Sequence, residues 1–195
     1  MVTVEPRSHD RILNKALEFF SSKGYDATSV REICEAAEVT KPTLYHFYGS
    51  KEGVYRALIE GSLQDLRDNL EQGIESPGTA EERLKRVARG YFENARSRPE
   101  LMRFIIRTIH NPPSSAPATD FVRFYEDMVG LVARVVDEGV SRGELMPGPT
   151  PVRLLILMGA LGESLCGFLL AGRPGLTSEL ADSLVESMLR GWRNP

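Results

Sequence analysis

With 195 residues, 42% of them apolar and 26% charged, the chain is long enough to bury its own core and too ordinary in composition for a disordered or fibrous protein. Its net charge of −3 gives no general attraction for nucleic acid, and the first sixty residues are no more basic, at −1. Cys34 and Cys166 stand far apart without metal-ligand spacing, so neither a disulfide framework nor a zinc site is expected, and a reducing cytoplasm suits them.

The N-terminal MVTVEPRSHD has no apolar run, and no signal peptide is expected. From there on, apolar residues recur at three and four, and no strand-like alternation is found. Ile12, Leu13, Ala16, Leu17 and Phe20 stripe a first helix, which Gly24 can stop in a left-handed conformation. Thr28 or Ser29 caps a second, carrying Val30, Ile33 and Ala37. Thr40 opens a short third helix. Ser50 caps a long fourth, with Val54, Leu58, Ile59, Leu63, Leu66 and Leu70 on its apolar face.

SPGT at 76–79 ends that helix and marks the expected domain boundary. Thr79 and Glu82 form a capping-box pair for the fifth helix, which bears Leu84, Val87, Ala88, Tyr91, Phe92 and Ala95. Pro99 starts PELMRFIIRTIH, stopped by Asn111-Pro-Pro. A long amphipathic helix follows from about Asp120 to Arg142. Thr150-Pro151 opens the next, and Thr177 caps the last, bearing Leu180, Leu184, Met188 and Trp192. Nine helices and no sheet are expected.

Leu154 to Gly172 carries one charge, Glu163, in nineteen residues. A membrane-spanning helix needs about 20 residues, and an acid at mid-span costs about 2.5–3.5 kcal/mol. The expected place for this helix is therefore a protein core or a subunit interface, not a membrane.

The third helix, in VTKPTLYHFYGSK, fits only about two turns and cannot stand alone. Pro42 is compatible with its first turn, where amides have no intrahelical partner. Leu44 and Tyr48, four apart, share an inward face, and Lys41, Thr43, Tyr45, His46 and Phe47 occupy the rest. Two short helices joined by the tight AEVT turn are the pattern of a helix-turn-helix, whose second helix enters a DNA major groove about 12 Å wide. A lysine there can donate to guanine, and a threonine methyl can meet a thymine methyl. Tyr45, His46 and Lys51 would reach phosphates, which fix register without reading sequence. The bland alternative is a corner helix whose aromatics are core.

From Arg11 to Ile59, through ALEFFSSKGYDATSVREI and EVTKPTLYHFYGSKEGVYRALI, the chain resembles the DNA-binding domain of the TetR/AcrR family of transcriptional regulators. The resemblance implies an all-α protein: an N-terminal three-helix DNA-binding domain at 8–68 and an effector-binding and dimerisation domain at 76–195. It places Arg31, Lys41, Pro42 and Thr43 near base edges, with Thr40 opening their helix. It places Ser29, Tyr45, His46 and Lys51 at the sugar-phosphate backbone. Three positions depart from the pattern. Cys34 stands for a small alanine, Glu38 for a turn glycine, where a side chain carries left-handed strain, and Phe47 for a histidine or tyrosine.

Beyond residue 70 no comparable motif is found. The helix at 154–172 is apolar around its axis, and the last helix carries a broad stripe; two of each from two chains would make a four-helix interface. Leu161, Leu165, Phe168, Leu180, Leu184 and Met188 are the interface residues this implies, an intramolecular core being the alternative. Tyr91, Phe92, Phe104, Thr108, Phe124, Tyr125, Met128 and Met158 are the candidate lining for an apolar or aromatic effector, though an ordinary helical core has the same make-up. Arg103 and Arg107, one turn apart, could meet an anionic effector or form a solvated face. His9, His46 and His110 join no nucleophile, metal or acid-base constellation, and no phosphate-binding glycine loop is present, so no enzyme, metal or cofactor is expected. The expectation is a homodimeric, ligand-responsive repressor on a near-palindromic operator; the alternatives are a helical small-molecule-binding protein or enzyme that never touches DNA, and a membrane-tethered protein.

Overall fold

A computed structural model describes residues 7–192. Among the described residues are nine helices and no sheet: α1 (Ser8–Lys23), α2 (Val30–Ala36), α3 (Lys41–Tyr48), α4 (Lys51–Glu75), α5 (Ala80–Ser97), α6 (Pro99–His110), α7 (Phe121–Ser141), α8 (Thr150–Ala171) and α9 (Ser178–Leu189).

The helix starts follow local chemistry. Ser29, not Thr28, caps α2: its hydroxyl accepts the Glu32 amide at 3.2 Å, and the Glu32 carboxylate accepts the Ser29 amide at 2.9 Å. Thr28 is buried, its hydroxyl donating to the Gly24 carbonyl at 2.8 Å. The hydroxyls of Thr40, Ser50, Thr79 and Thr177 likewise accept the amide three residues on and cap α3, α4, α5 and α9, and at Thr79 the Glu82 carboxylate accepts the cap amide in return. Each such cap contributes about 1 kcal/mol. Thr150 does not cap α8; its hydroxyl donates to the Asp137 carboxylate at 2.7 Å, and Pro149 precedes the helix.

The chain forms two compact units. The first comprises residues up to Leu63 together with Glu100–Asp120, which brings α6 into the same unit as α1, α2, α3 and the start of α4. An aromatic cluster explains the grouping. Phe104 of α6 lies 6.2 Å from the Phe20 ring and 5.7 Å from Tyr55, and Tyr55 lies 4.9 Å from Tyr25. Arg107 adds a hydrogen bond to the Ser21 carbonyl at 2.9 Å, and Ser115 donates to Asp26.

The second unit comprises Gln64–Pro99 and the chain from Phe121 onward. Here α5 packs against α7, α8 and α9. Leu84, Val87 and Phe92 meet a core of Val132, Val135, Leu157, Leu161, Val185 and Leu189, all buried. A Cβ at Gly139 would meet the Ala80 Cβ at 2.6 Å, so glycine there permits the close approach of α7 to the start of α5. The half-exposed carboxylates Glu138 and Asp182 pair with Arg83 and Arg89 of α5, and these hydrogen bonds hold both carboxyls below their usual range.

α8 has the length and composition to cross a membrane, yet it packs on α5, α7 and α9 through Arg153, Leu154, Leu157, Leu161, Ser164 and Leu165. Only 22% of its apolar stretch is buried within the chain. The expectation of a helix buried on most sides is therefore not met by one copy alone. A second stripe, with Val152, Leu155, Ile156 and Leu170, faces outward.

Candidate nucleic-acid interface

The short α3 is held from one side. Leu44 is 0% exposed, and the Tyr48 hydroxyl donates to the His9 carbonyl of α1 at 3.0 Å. Burial, and secondarily the nearby Asp10 carboxylate, pushes the Tyr48 phenol up to about 12. The other face is open: Thr40, Lys41, Pro42, Tyr45, His46 and Phe47 are exposed, and Thr43 is half-buried. The corner-helix alternative fails on that exposure, since Tyr45 at 48% and Phe47 at 47% are not core. Phe47 packs edge-on to His46, ring centroids 5.4 Å apart, and offers no polar group.

The turn between α2 and α3 is closed by Val39 donating to the Cys34 carbonyl at 3.0 Å. Glu38 takes φ 53°, the only positive φ at a non-glycine among the described residues, so the strain expected where a glycine is missing is present. Cys34 is buried in α2, and desolvation raises its thiol while Lys41 works in the opposite sense.

The remaining expected contacts fare unevenly. Arg31 is exposed, but its guanidinium is hydrogen-bonded to Glu35 one turn on, at 2.6 Å, so any base or phosphate must displace that carboxylate. The Ser29 hydroxyl already accepts the Glu32 amide and donates to the Glu32 carboxylate, which makes it first a cap. Thr40 and Thr43 share a hydroxyl–hydroxyl hydrogen bond of 2.8 Å, which leaves the Thr43 methyl as its freer feature. Lys51 differs most from expectation: its ammonium is held by two backbone carbonyls of the α1–α2 turn. Sequence reasoning missed Glu32, whose carboxyl is lowered to about 2 by Lys23 first and by the Ser29 hydroxyl and amide next. The Ser29-to-Glu32 spacing was the available signal; nothing local points to Lys23.

The candidate effector residues do not share one compact unit. Phe104 and Thr108 belong to the first, where Phe104 joins the aromatic cluster and the Thr108 hydroxyl donates to the Phe104 carbonyl. Both are core there, because α6 packs on α1 and α4. Phe92 and Met128 are buried in the second unit, Tyr91, Phe124 and Met158 are half-buried, and Tyr125 is 53% exposed. Desolvation, with Cys166 as a smaller cause, pushes the Tyr91 phenol up to about 12. Arg103 and Arg107 are exposed, pairing with Glu100 and with the Ser21 carbonyl.

The interface residues divide as well. Leu161 and Leu165 are 2% and 3% exposed within the single chain, so they are core rather than interface. α8 turns them toward α5, α7 and α9 and presents the stripe containing Leu155 and Ile156 instead. Phe168, Leu180, Leu184 and Met188 are half-buried and leave surface to cover.

An all-α fold that sets a capped α2, a strained turn and an open α3 at its N-terminal end defines a helix-turn-helix protein. Residues 12–58 match the model of the bacterial regulatory proteins of the tetR family. The chain is 39% identical over 61 residues to the biofilm operon icaADBC negative transcriptional regulator IcaR of Staphylococcus epidermidis, 31% of this chain and 33% of that protein. The match thus spans about a third of that relative's length. Over 187 residues the chain is 21% identical to the fatty acid metabolism regulator protein of Bacillus subtilis, covering 94% of this chain and 95% of that protein. The fold is that of the TetR family transcriptional regulator PfmR from Thermus thermophilus, with a TM-score of 0.75, 22% identity and coverage of 93% and 98% of the two chains.

Proposed function

We propose that this protein is a DNA-binding transcriptional repressor, not an enzyme, that works in the cytoplasm as a homodimer. Residues 8–68 serve as its DNA-binding domain and 76–195 as its effector-binding and dimerisation domain. One observation carries the reading: α3 is anchored by Leu44 and Tyr48 while Lys41, Pro42, Tyr45, His46 and Phe47 stand in solvent. Lys41 and the Thr43 methyl meet base edges, Arg31 joins them on leaving Glu35, and Tyr45 and His46 meet phosphates. The tetR-family character of residues 12–58 supports the assignment.

The outward stripe of α8 supports the dimer. A second copy covers Val152, Leu155, Ile156 and Leu170, with Leu180, Leu184 and Met188 of α9 beside them. A Cβ at Gly159 would meet nothing within 4 Å in the single chain, which leaves room there for an approaching helix. Twofold symmetry sets two reading helices about one DNA turn apart on a near-palindromic operator.

The effector is a small apolar molecule, and Tyr91, whose phenol lies in a strongly desolvated setting beside Cys166, is the residue to examine first. Likeness over nearly the whole chain to a fatty acid metabolism regulator makes fatty acyl compounds the first class to try. Binding shifts the population between two spacings of the reading helices and releases the operator.

Lys41→Ala and Tyr45→Ala, both at exposed positions, are expected to abolish binding to the DNA upstream of the protein's own gene while leaving the helical circular dichroism unchanged. Survival of binding in both variants, with the salt dependence of the wild type, overturns the reading.

A further inference from the structure

Lys51 opens α4, at a position the family resemblance assigns to phosphate contact. Its ammonium has other partners in this fold. Nζ donates to the Tyr25 carbonyl at 2.9 Å and to the Thr28 carbonyl at 3.0 Å, and lies 4.1 Å from the centroid of the Tyr25 ring. The site is built, not incidental. Tyr25 and Thr28 are buried, and the Tyr25 ring is wedged against Phe20 and Tyr55. The turn they belong to is closed on itself by the Thr28 amide donating to the Tyr25 carbonyl and the Thr28 hydroxyl donating to that of Gly24.

Ser29, the next residue, caps α2, and Ser50, just before Lys51, caps α4. The side chain of Lys51 therefore joins the two ends of the segment 29–50, and that segment contains α2, the strained Glu38 turn and α3. Two of the three N–H donors of the ammonium are engaged in this clip.

We propose that Lys51 is a positioning residue for α3 and not a phosphate contact: by clipping the first turn of α4 to the turn before α2, it fixes the angle at which α3 is presented. The proposal rests on the DNA-binding reading above. A two-carbonyl seat under an aromatic face fits a compact ammonium. A planar guanidinium, with its five donors in a fixed fork, does not fit it, whereas at a phosphate the guanidinium is the better ligand.

Full-length Lys51→Met and Lys51→Arg test this, with a duplex selected by the wild-type protein from random double-stranded oligonucleotides as the probe. Both variants are expected to bind that duplex about tenfold or more weakly, as though one base edge were no longer read. The slope of log affinity against log salt should stay that of the wild type, and amide hydrogen exchange should quicken from Ser29 to Glu32. A lysine seated on phosphate behaves otherwise: Lys51→Met lowers the slope by about 0.9 for each phosphate no longer neutralised, and arginine restores affinity. Restoration by arginine, or that fall in slope, overturns the proposal. Failure of the wild-type protein to select any duplex would fail the DNA-binding reading alone; unchanged exchange in both variants would then sink the clip by itself. Should Lys51→Met not fold, Lys51→Arg carries both readouts.

Discussion

Leu155→Glu tests what covers the outer face of α8. Val152, Leu155, Ile156 and Leu170 are 50%, 69%, 46% and 89% exposed, about two and a half side chains' worth of apolar surface. Full burial of one such side chain is worth about 1.5–3 kcal/mol, so covering the stripe in both protomers of a twofold pair yields about 8–15 kcal/mol as an upper bound. Association costs about 4–15 kcal/mol, so the stripe is needed for a stable pair without being sufficient for a very tight one. Removing Leu155 from both protomers forfeits about 2–4 kcal/mol, a rise in dissociation constant of about thirty- to a thousandfold, before the cost of burying two carboxylates. Sedimentation equilibrium over a range of concentrations reads this directly. The paired variant Leu161→Ala, at a site buried within the chain, should lower thermal stability by about 2–5 kcal/mol and leave self-association intact. A wild-type protein that sediments as a monomer, or a Leu155→Glu variant that associates like the wild type, refutes the reasoning. So would the opposite pattern, with Leu161→Ala dissociating the pair at unchanged protomer stability.

Leu44→Ala removes the buried anchor of α3 and should cost about 2–5 kcal/mol, with hydrogen exchange rising across Lys41–Tyr48 while α9 keeps its protection. Tyr48→Phe leaves the His9 carbonyl without its donor, a loss of about 0.5–1.5 kcal/mol readable as a lower melting temperature. The Glu32 carboxyl, lowered from 4.5 to about 2, contributes stability that is present above its unfolded value and lost as pH falls from 4.5 toward 2. Glu32→Gln should therefore flatten the acid-unfolding profile in that window, as followed by circular dichroism. A profile unchanged by the substitution would show that the Lys23 and Ser29 interactions do not matter to folding.

The helices and most of their starts could be read from the chain because their causes are local. A Ser29 hydroxyl reaches the amide three residues on, Thr79 pairs with Glu82 in the same way, and Leu44 and Tyr48 share a face because the helical repeat puts them there. The exposed character of α3 followed from the same geometry, since a helix of eight residues with two inward anchors has nothing else to hide. What lies between elements was not legible. Apolar periodicity says that a face is covered and not by what, so Phe104 and Thr108 read equally well as pocket or as core until α6 was seen packed on Phe20 and Tyr55. α8 is apolar around its whole axis, and its sequence cannot rank Leu161 against Leu155; the packing of α5, α7 and α9 on one side made the choice. Lys51 reads as a phosphate contact because its acceptors lie 26 and 23 residues earlier, and only closure of the first unit brings those carbonyls to its ammonium. Short-range hydrogen bonds and helical repeat were thus determined by the sequence itself, whereas partners brought together by chain folding were decided by the tertiary structure, because many neighbours satisfy the same apolar or charged surface.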